Sequence, residues 1–404
     1  MTAESRPKTI LIAGAGMAGL TSAIAFAARG HSVRVFEKAP RLEEVGAGLQ
    51  LSPNATKILD ELGVLELVRP ASARPEAIVL RDAYGLKEIA RVPLGNFAEK
   101  RWGAPYLTVH RADLQSALVS RLRRESGVEL ITGAHVRDLA IHSKGATLSI
   151  DEGGRILEAS GDLVVGADGV WSTLRGDEGA RQSFTGLTAW RTTIRRGEPH
   201  GFSEGMIAGD VVTAYLHPRF HMVAYPIRGG AAVNLVAITK GTRIAPSWSA
   251  GADSGELARD LAVAPGLAKL AEGAGSWTRW PLHVVDPRGP WISERGIALI
   301  GDAAHAMTPF AAQGAAMAIE DAAVIAGLVD RHGDDLPAAL AAYERQRRPR
   351  IARVARRGAF NRFAWHAAGP IAIGRNLVLA MRTPERLAAD FDWLYGWDRT
   401  TAKD

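Results

Sequence analysis

The glycines of Gly14-Ala15-Gly16-Met17-Ala18-Gly19 have the G-x-G-x-x-G spacing at which a backbone can wrap a diphosphate. Gly14 permits a tight turn, Gly16 lets phosphate oxygens approach main-chain N–H groups, and Gly19 lets a following helix approach the preceding strand. Glu37, twenty-three residues after Gly14, is placed to accept hydrogen bonds from an adenosine ribose. A carboxylate there repels a 2′-phosphate, so the tightly held dinucleotide is expected not to be NADP. Ala18, Lys38 and Val136 are expected to line the same ligand. A second constellation is His221-Met222-Val223-Ala224-Tyr225. On a strand, residues four apart share a face, so His221 and Tyr225 can point into one pocket. An imidazole with its ordinary pKa of ~6.5 accepts a proton near neutral pH.

These groups need elements to hold them. Thr9–Ala13 is a short β-branched apolar run that reads as a buried parallel strand. Residues 20–29 are Ala-rich and helical up to Gly30, and 32–36 read as a second strand ending on Glu37. That is one βαβ unit. Gly166-Ala167-Asp168-Gly169 follows the apolar strand 163–165, with Ser172 and Arg175 just beyond. Gly301-Asp302-Ala303-Ala304-His305 follows a strand over 296–300 and leads to Pro309 and Gln313-Gly314-Ala315. A helix is expected over 311–330, with Gly314 at its opening. Its unpaired N–H groups and positive dipole end then face the cleft. Between these parallel-type strands, residues 186–239 alternate in short β-branched and aromatic segments that read as antiparallel strands. From Leu336 to about Met381 the pattern is helical.

With 47% hydrophobic and 23% charged residues in 404, the chain is globular. Forty arginines and nine lysines leave a net charge of +6. Arg345, Arg347, Arg348, Arg350, Arg353, Arg356 and Arg357 concentrate that charge at helical spacing, which reads as a solvated or acid-paired helix face rather than a nucleic-acid contact. The absence of Cys excludes disulfides and thiol chemistry. His305 has no second ligand at i+3 or i+4, so no metal is expected. No apolar run reaches the ~18 residues of a membrane span, and residues 1–8 are polar. The expectation is a cytoplasmic monomer or homodimer with no stable membrane insertion and no nucleic-acid partner.

The glycine fingerprint alone does not separate NAD from FAD. Joined in this order to the Asp168 and Asp302 motifs, it resembles the single-component flavoprotein aromatic hydroxylases, or class A flavin monooxygenases, from Thr9 to the segment 391–398. The likeness is to salicylate and hydroxynicotinate hydroxylases. It implies an α/β fold: a Rossmann-type FAD-binding domain (1–75, 106–182 and 290–345), an inserted, mostly antiparallel β-sheet substrate domain (76–105 and 183–289), and C-terminal helices (346–404). It implies FAD, held noncovalently in a chain without Cys, with NADH or NADPH and O2 as cosubstrates. In this family NAD(P)H reduces the flavin, O2 adds at C4a, and an electron-rich ring attacks the distal oxygen.

By the same resemblance, Asp302 bonds the flavin ribitol, the Asp168 turn braces the diphosphate, and Arg111 contacts both. The loop Gly46-Ala47-Gly48-Leu49-Gln50, running on to Pro53-Asn54, lies beside the ring system. Gln50 stands where hydroxynicotinate monooxygenases carry a histidine. Pro309, Gly314 and Ala315 belong to the helix start that would favour reduced, anionic flavin. His221 and Tyr225 match a family pair that serves the substrate hydroxyl, and Phe310 lines the pocket where some relatives are polar. Arg191, with Arg81 as a weaker candidate, would hold a substrate carboxylate. The implied partner is a small phenolic or N-heteroaromatic acid; a quinone-like or larger apolar substrate is the alternative.

Overall fold

Strands buried on both faces carry unbroken apolar runs, and Ile10 to Ala13 are almost wholly buried. In the computed structural model they lie inside a six-stranded sheet ordered Ile292–Ser293, Ile297–Leu299, Leu163–Gly166, Thr9–Ala13, Ser32–Glu37 and Val128–Thr132. All neighbours run parallel except the edge pair 292–293 with 297–299. The structure describes residues 6–42, 47–143, 145–176, 182–197, 206–207, 209–242, 250–293 and 296–399. Gly46 of the expected flavin loop lies outside them.

The register of this sheet explains why three distant motifs meet. Ala13 pairs with Gly166, and Gly166 pairs with Leu299. The loops beginning at Gly14, Ala167 and Ile300 therefore leave the carboxyl ends of adjacent strands. The chain from Thr9–Ala13 departs to one side of the sheet, while the other two strands lie on its opposite side. Such a switch point is where open α/β sheets form a ligand crevice.

The helix Met17–Ala27 packs between Arg111–Leu122 and the long helix Gly314–His332. It begins earlier than residue 20 because Gly16 serves as its N-cap, so the glycine loop runs directly into the first turn. The long helix begins later than residue 311: Pro309–Ala311 form a 3₁₀ turn, and Ala312 is left-handed at φ 52°. Gln313 then holds the N-cap position of Gly314–His332 without a side-chain capping bond.

The second layer is an eight-stranded sheet built from residues 77–93 and 182–285. It is antiparallel throughout except where Val211–His217 pairs with Ala77–Asp82. His221 and Tyr225 share the strand Phe220–Ile227, and Arg191 lies two strands away on Gln182–Arg195.

A buried charge network locks these layers to the C-terminal helices. Glu320 and Asp321 on the long helix are fully buried, and Arg347 on Leu336–Trp365 is 1% exposed. Arg347 bonds Asp321 at 2.6 Å through Nε and Glu320 at 2.6 Å through Nη1. Arg350 adds a forked pair to Glu320 at 2.8 and 3.1 Å, and donates to the carbonyls of Trp393 and Leu394. The arginine run is therefore acid-paired at its two inward positions. Burial alone would raise the Asp321 carboxyl pKa, but the charges of His305 and Arg347 hold it below the ordinary value.

Removing one partner of a buried pair strands the other charge, at a cost of about 3–5 kcal/mol. Arg347→Met is expected to lose stability in that range, measured by urea unfolding, because it leaves two carboxylates with fewer donors.

Candidate active site

The glycine loop shows three different reasons for glycine. Gly14 has φ 100°, and a Cβ there would sit 2.5 Å from the Ala167 carbonyl oxygen. A Cβ on Gly19 would lie 1.9 Å from the Gly14 carbonyl oxygen, so this glycine permits the helix to close on the loop. A Cβ on Gly16 meets nothing within 4 Å. The fold does not need glycine at position 16; a ligand pressing on its backbone would. The helix opening at Gly16 also has no side-chain cap, leaving main-chain donors for an anion.

Glu37 is already engaged: its carboxylate accepts from Ala15 N at 2.8 Å and Ala39 N at 2.9 Å, tying the loop to the end of its strand. Lys38 beside it is exposed. Asp168 turns into its own loop, accepting from Thr173 N at 2.9 Å and Leu174 N at 3.4 Å, and it does not line the cavity described below. Its effect on a diphosphate would pass through the shape of the loop. Val136 is buried in the hydrophobic core and also stands apart from the cavity, since its strand position points it inward. Arg81 is spent on the Leu86 carbonyl at 3.2 Å and stays outside the cavity, which removes it as a carboxylate anchor.

A cavity of about 820 Å³ runs from the glycine loop to the eight-stranded sheet. One wall carries Gly16, Ala18, Gly48, Gln50, Arg111 and Asp302, and continues through Pro309, Gly314 and Ala315. Asp302 is exposed to this space. The strand holding Gly48 is fixed from behind, because Gly48 N donates to Asn234 Oδ1 at 2.7 Å. Its neighbour Gln50 accepts from the Tyr106 hydroxyl at 2.7 Å, so its amide is oriented and carries no titratable proton. Gln313 and Asn54 join this wall to the buried network: Gln313 donates to Ser52 Oγ at 2.9 Å, and Asn54 to Glu320 at 2.6 Å.

The facing wall brings together Arg191, His221, Tyr225 and Phe310. Arg191 stacks over Trp280, its Cζ 4.9 Å from the ring centre, and its buried Nε has no hydrogen-bond partner among the described residues. Burial lowers its pKa, but from a starting value so high that it remains a cation. Burial pushes the Tyr225 hydroxyl well above its ordinary value, partly offset by Arg191, so Tyr225 is a neutral donor.

His221 departs from the expectation of an ordinary imidazole. It is 2% exposed, and burial, with His366 nearby, lowers its pKa to about 3. Its ring lies 4.9 Å from Phe310 and 5.1 Å from Trp365. Its Nδ1 is 3.2 Å from Nε2 of His366, a residue with no local sequence signal. His305, by contrast, bonds Asp321 at 2.6 Å, and no group of three or more metal-binding side chains occurs among the described residues.

The donor set suits a flavin dinucleotide: an open space at Gly16, two uncapped helix starts at Gly16 and Gly314, and an exposed Asp302 between them. Comparison with known proteins agrees. Residues 8–358 match the family model described as FAD binding domain. The 3-hydroxybenzoate 6-hydroxylase 1 of Aquipseudomonas alcaligenes is 36% identical over 396 residues, covering 96% of this chain and 97% of its own. The 3-hydroxybenzoate 6-hydroxylase of Polaromonas naphthalenivorans is 33% identical over 393 residues, covering 96% of each. Klebsiella pneumoniae HpxO, solved with FAD and uric acid, has the same fold at a TM-score of 0.81 and 23% identity, covering 95% of each chain. The chain belongs to the class A flavoprotein aromatic monooxygenases, FAD-dependent oxidoreductases that hydroxylate aromatic rings.

Two outcomes follow from this geometry. Gly16→Val is expected to keep the urea midpoint of the parent protein while FAD Kd rises about tenfold or more, ~1.4 kcal/mol, read by flavin fluorescence. Gly19→Val should instead lower the midpoint. The depressed His221 pKa has a sign as well: the unfolded chain binds a proton below its ordinary value of ~6.5, the folded one does not, so stability falls with acidification. Between pH 7 and 5 this term removes about 2 kcal/mol, and His221→Asn should lose correspondingly less over that window.

Proposed function

We propose that the protein uses NADH or NADPH and O2 to hydroxylate a small aromatic acid bearing a ring hydroxyl or an equivalent ring N–H. The observation that carries this reading is the facing wall: a partly buried arginine whose buried Nε lacks a partner stands in the same cavity as a neutral His221 and Tyr225. Bound FAD would accept hydride from the nicotinamide and pass one oxygen atom of O2 to the ring.

Arg111 and Asp302 would hold the dinucleotide, with Gly14, Gly16 and Glu37 shaping the diphosphate and ribose end. The N-terminus of the Gly314 helix favours negative charge on whatever lies against it. Arg191 would bind the carboxylate in a charge-assisted pair, and Trp280 beneath it keeps the guanidinium plane fixed. Tyr225 would donate to the substrate oxygen, and His221 would accept its proton, since a phenolate is the more electron-rich ring. Phe310 supplies an apolar face and excludes water. The 3-hydroxybenzoate named for two relatives has this substrate chemistry, a carboxylate and a ring hydroxyl.

A second reading, a larger apolar substrate, is favoured by Phe363, Ile371 and Val378, which line the cavity yet are 55–60% exposed. One screen separates the two: NADH and NADPH oxidation with phenolic acids, pyridine acids and uncharged quinols, with the product identified. Hydroxylated acid supports the proposal; turnover of quinols alone overturns it. Arg191→Met should raise KM for the acid about a hundredfold, the value of a charged hydrogen-bonded contact of ~2–3 kcal/mol. FAD content should be unchanged.

A further inference from the structure

Proton acceptance at His221 poses a problem. The residue is 2% exposed and packed between Phe310 and Trp365, surroundings that penalise an imidazolium. A base that had to hold two protons there would be a poor one. Yet its Nδ1 does not face the cavity; it meets Nε2 of His366 at 3.2 Å. That contact leaves Nε2 of His221 as the ring nitrogen for a substrate.

His366 itself follows the last residue of Leu336–Trp365, is absent from the cavity lining and is partly exposed. The pair therefore spans from the cavity wall to solvent. The charged or titratable groups facing His366 are His221, Arg362 and His217, with Arg219 and Asp82 acting on His217. Arg362 and His217 disfavour a second proton on His366, and its pKa is lowered to about 4, by burial first and then by these neighbours. Both rings are thus neutral near pH 7, and one N–H must lie between them.

We propose that His366 is a positioning residue that turns His221 into a relay and carries the substrate proton out of the cavity. The inference rests on the phenol-type substrate proposed above. The substrate O–H bond breaks as an H–Nε2 bond forms on His221. At the same time the Nδ1–H bond of His221 breaks and an H–Nε2 bond forms on His366, whose Nδ1 proton leaves to solvent. Neither ring holds a net charge at the end, and nothing is oxidised or reduced. The product hydroxyl regains its proton by the reverse path, which restores both tautomers.

The test uses the FAD-loaded enzyme with 3-hydroxybenzoate first, then the screened acid with the highest kcat/KM. His366→Phe is expected to lower kcat about tenfold or more, part of the ~10²–10⁴-fold that general-base catalysis contributes, with FAD content and KM within about twofold. Added imidazole should restore part of the rate, and the His221→Ala/His366→Phe double variant should be no slower than His221→Ala. His366→Gln keeps a hydrogen bond to His221 but cannot relay, so it too should be slow; this variant serves where the Phe variant folds poorly. A wild-type rate in His366→Gln overturns the relay and leaves static orientation. A wild-type rate in His366→Phe beside a slow His221→Ala overturns the relay while the base reading stands. An unimpaired His221→Ala, or no turnover of any acid, overturns the base reading and the relay together.

Discussion

Four charges with almost no access to water hold this molecule in register. Each of Glu320, Asp321, Arg347 and Arg350 would be costly to bury alone, by several kcal/mol, so the backbone must bring them together or leave them outside. The arrangement reaches further than the two helices that carry it. Asp321 also accepts from Gly301 N at 2.9 Å, the residue before Asp302. Glu320 accepts from Asn54, just beyond the Gly48–Leu51 strand, and Arg350 binds carbonyls of the C-terminal segment. Trp397 lies 5.4 Å from Arg347 and 5.1 Å from Arg350, closing the network with ring faces. Three cavity-facing pieces are thus fixed by one set of ions: the Gly301 loop, the Gly48 strand and the start of the Gly314 helix. Ion pairs of this kind add little net stability, but they tolerate few alternative geometries.

The parallel sheet was legible in the sequence because its signals are local. A buried strand, a glycine turn and a helix appear within thirty residues, and the Asp168 and Asp302 loops repeat the strand-then-glycine pattern. Their convergence needs only that the strands be neighbours. The ion network was not legible for the converse reason. In sequence, Glu320 and Asp321 are two polar residues within the apolar run 315–329, and arginines spaced along a helix look alike whether they face solvent or carboxylates. Their pairing joins residues 26 to 30 apart across a turn that local spacing does not specify. His366 is harder still, since its partner lies 145 residues earlier. Asp168 belongs to a strand-then-glycine motif, but its side chain turns into its own loop, and Val136, which has no such motif, points into the core.

The two cavity walls differ in how they handle charge. The first offers fixed dipoles: helix starts at Gly16 and Gly314, whose N–H groups need no ionisation to favour an anion. The second offers side chains whose protonation burial selects. Desolvation disfavours every charged form there, so Tyr225 keeps its proton and His221 stays without one. Arg191 alone resists, since its ordinary pKa is too high to cross. The result is one positive charge beside a neutral donor and a neutral acceptor.

That pattern constrains what can react there. A neutral ligand would leave the buried Nε of Arg191 without a hydrogen-bond partner, a penalty that an anionic ligand would remove on binding. Ionising a ring hydroxyl in the same pocket adds a second negative charge; an imidazolium left on His221 would attract it, but would itself carry the desolvation penalty that burial imposes. Burial therefore acts in two directions. Under the proposed function it would favour an acid at Arg191, and it would make His221 depend on a path by which the proton leaves.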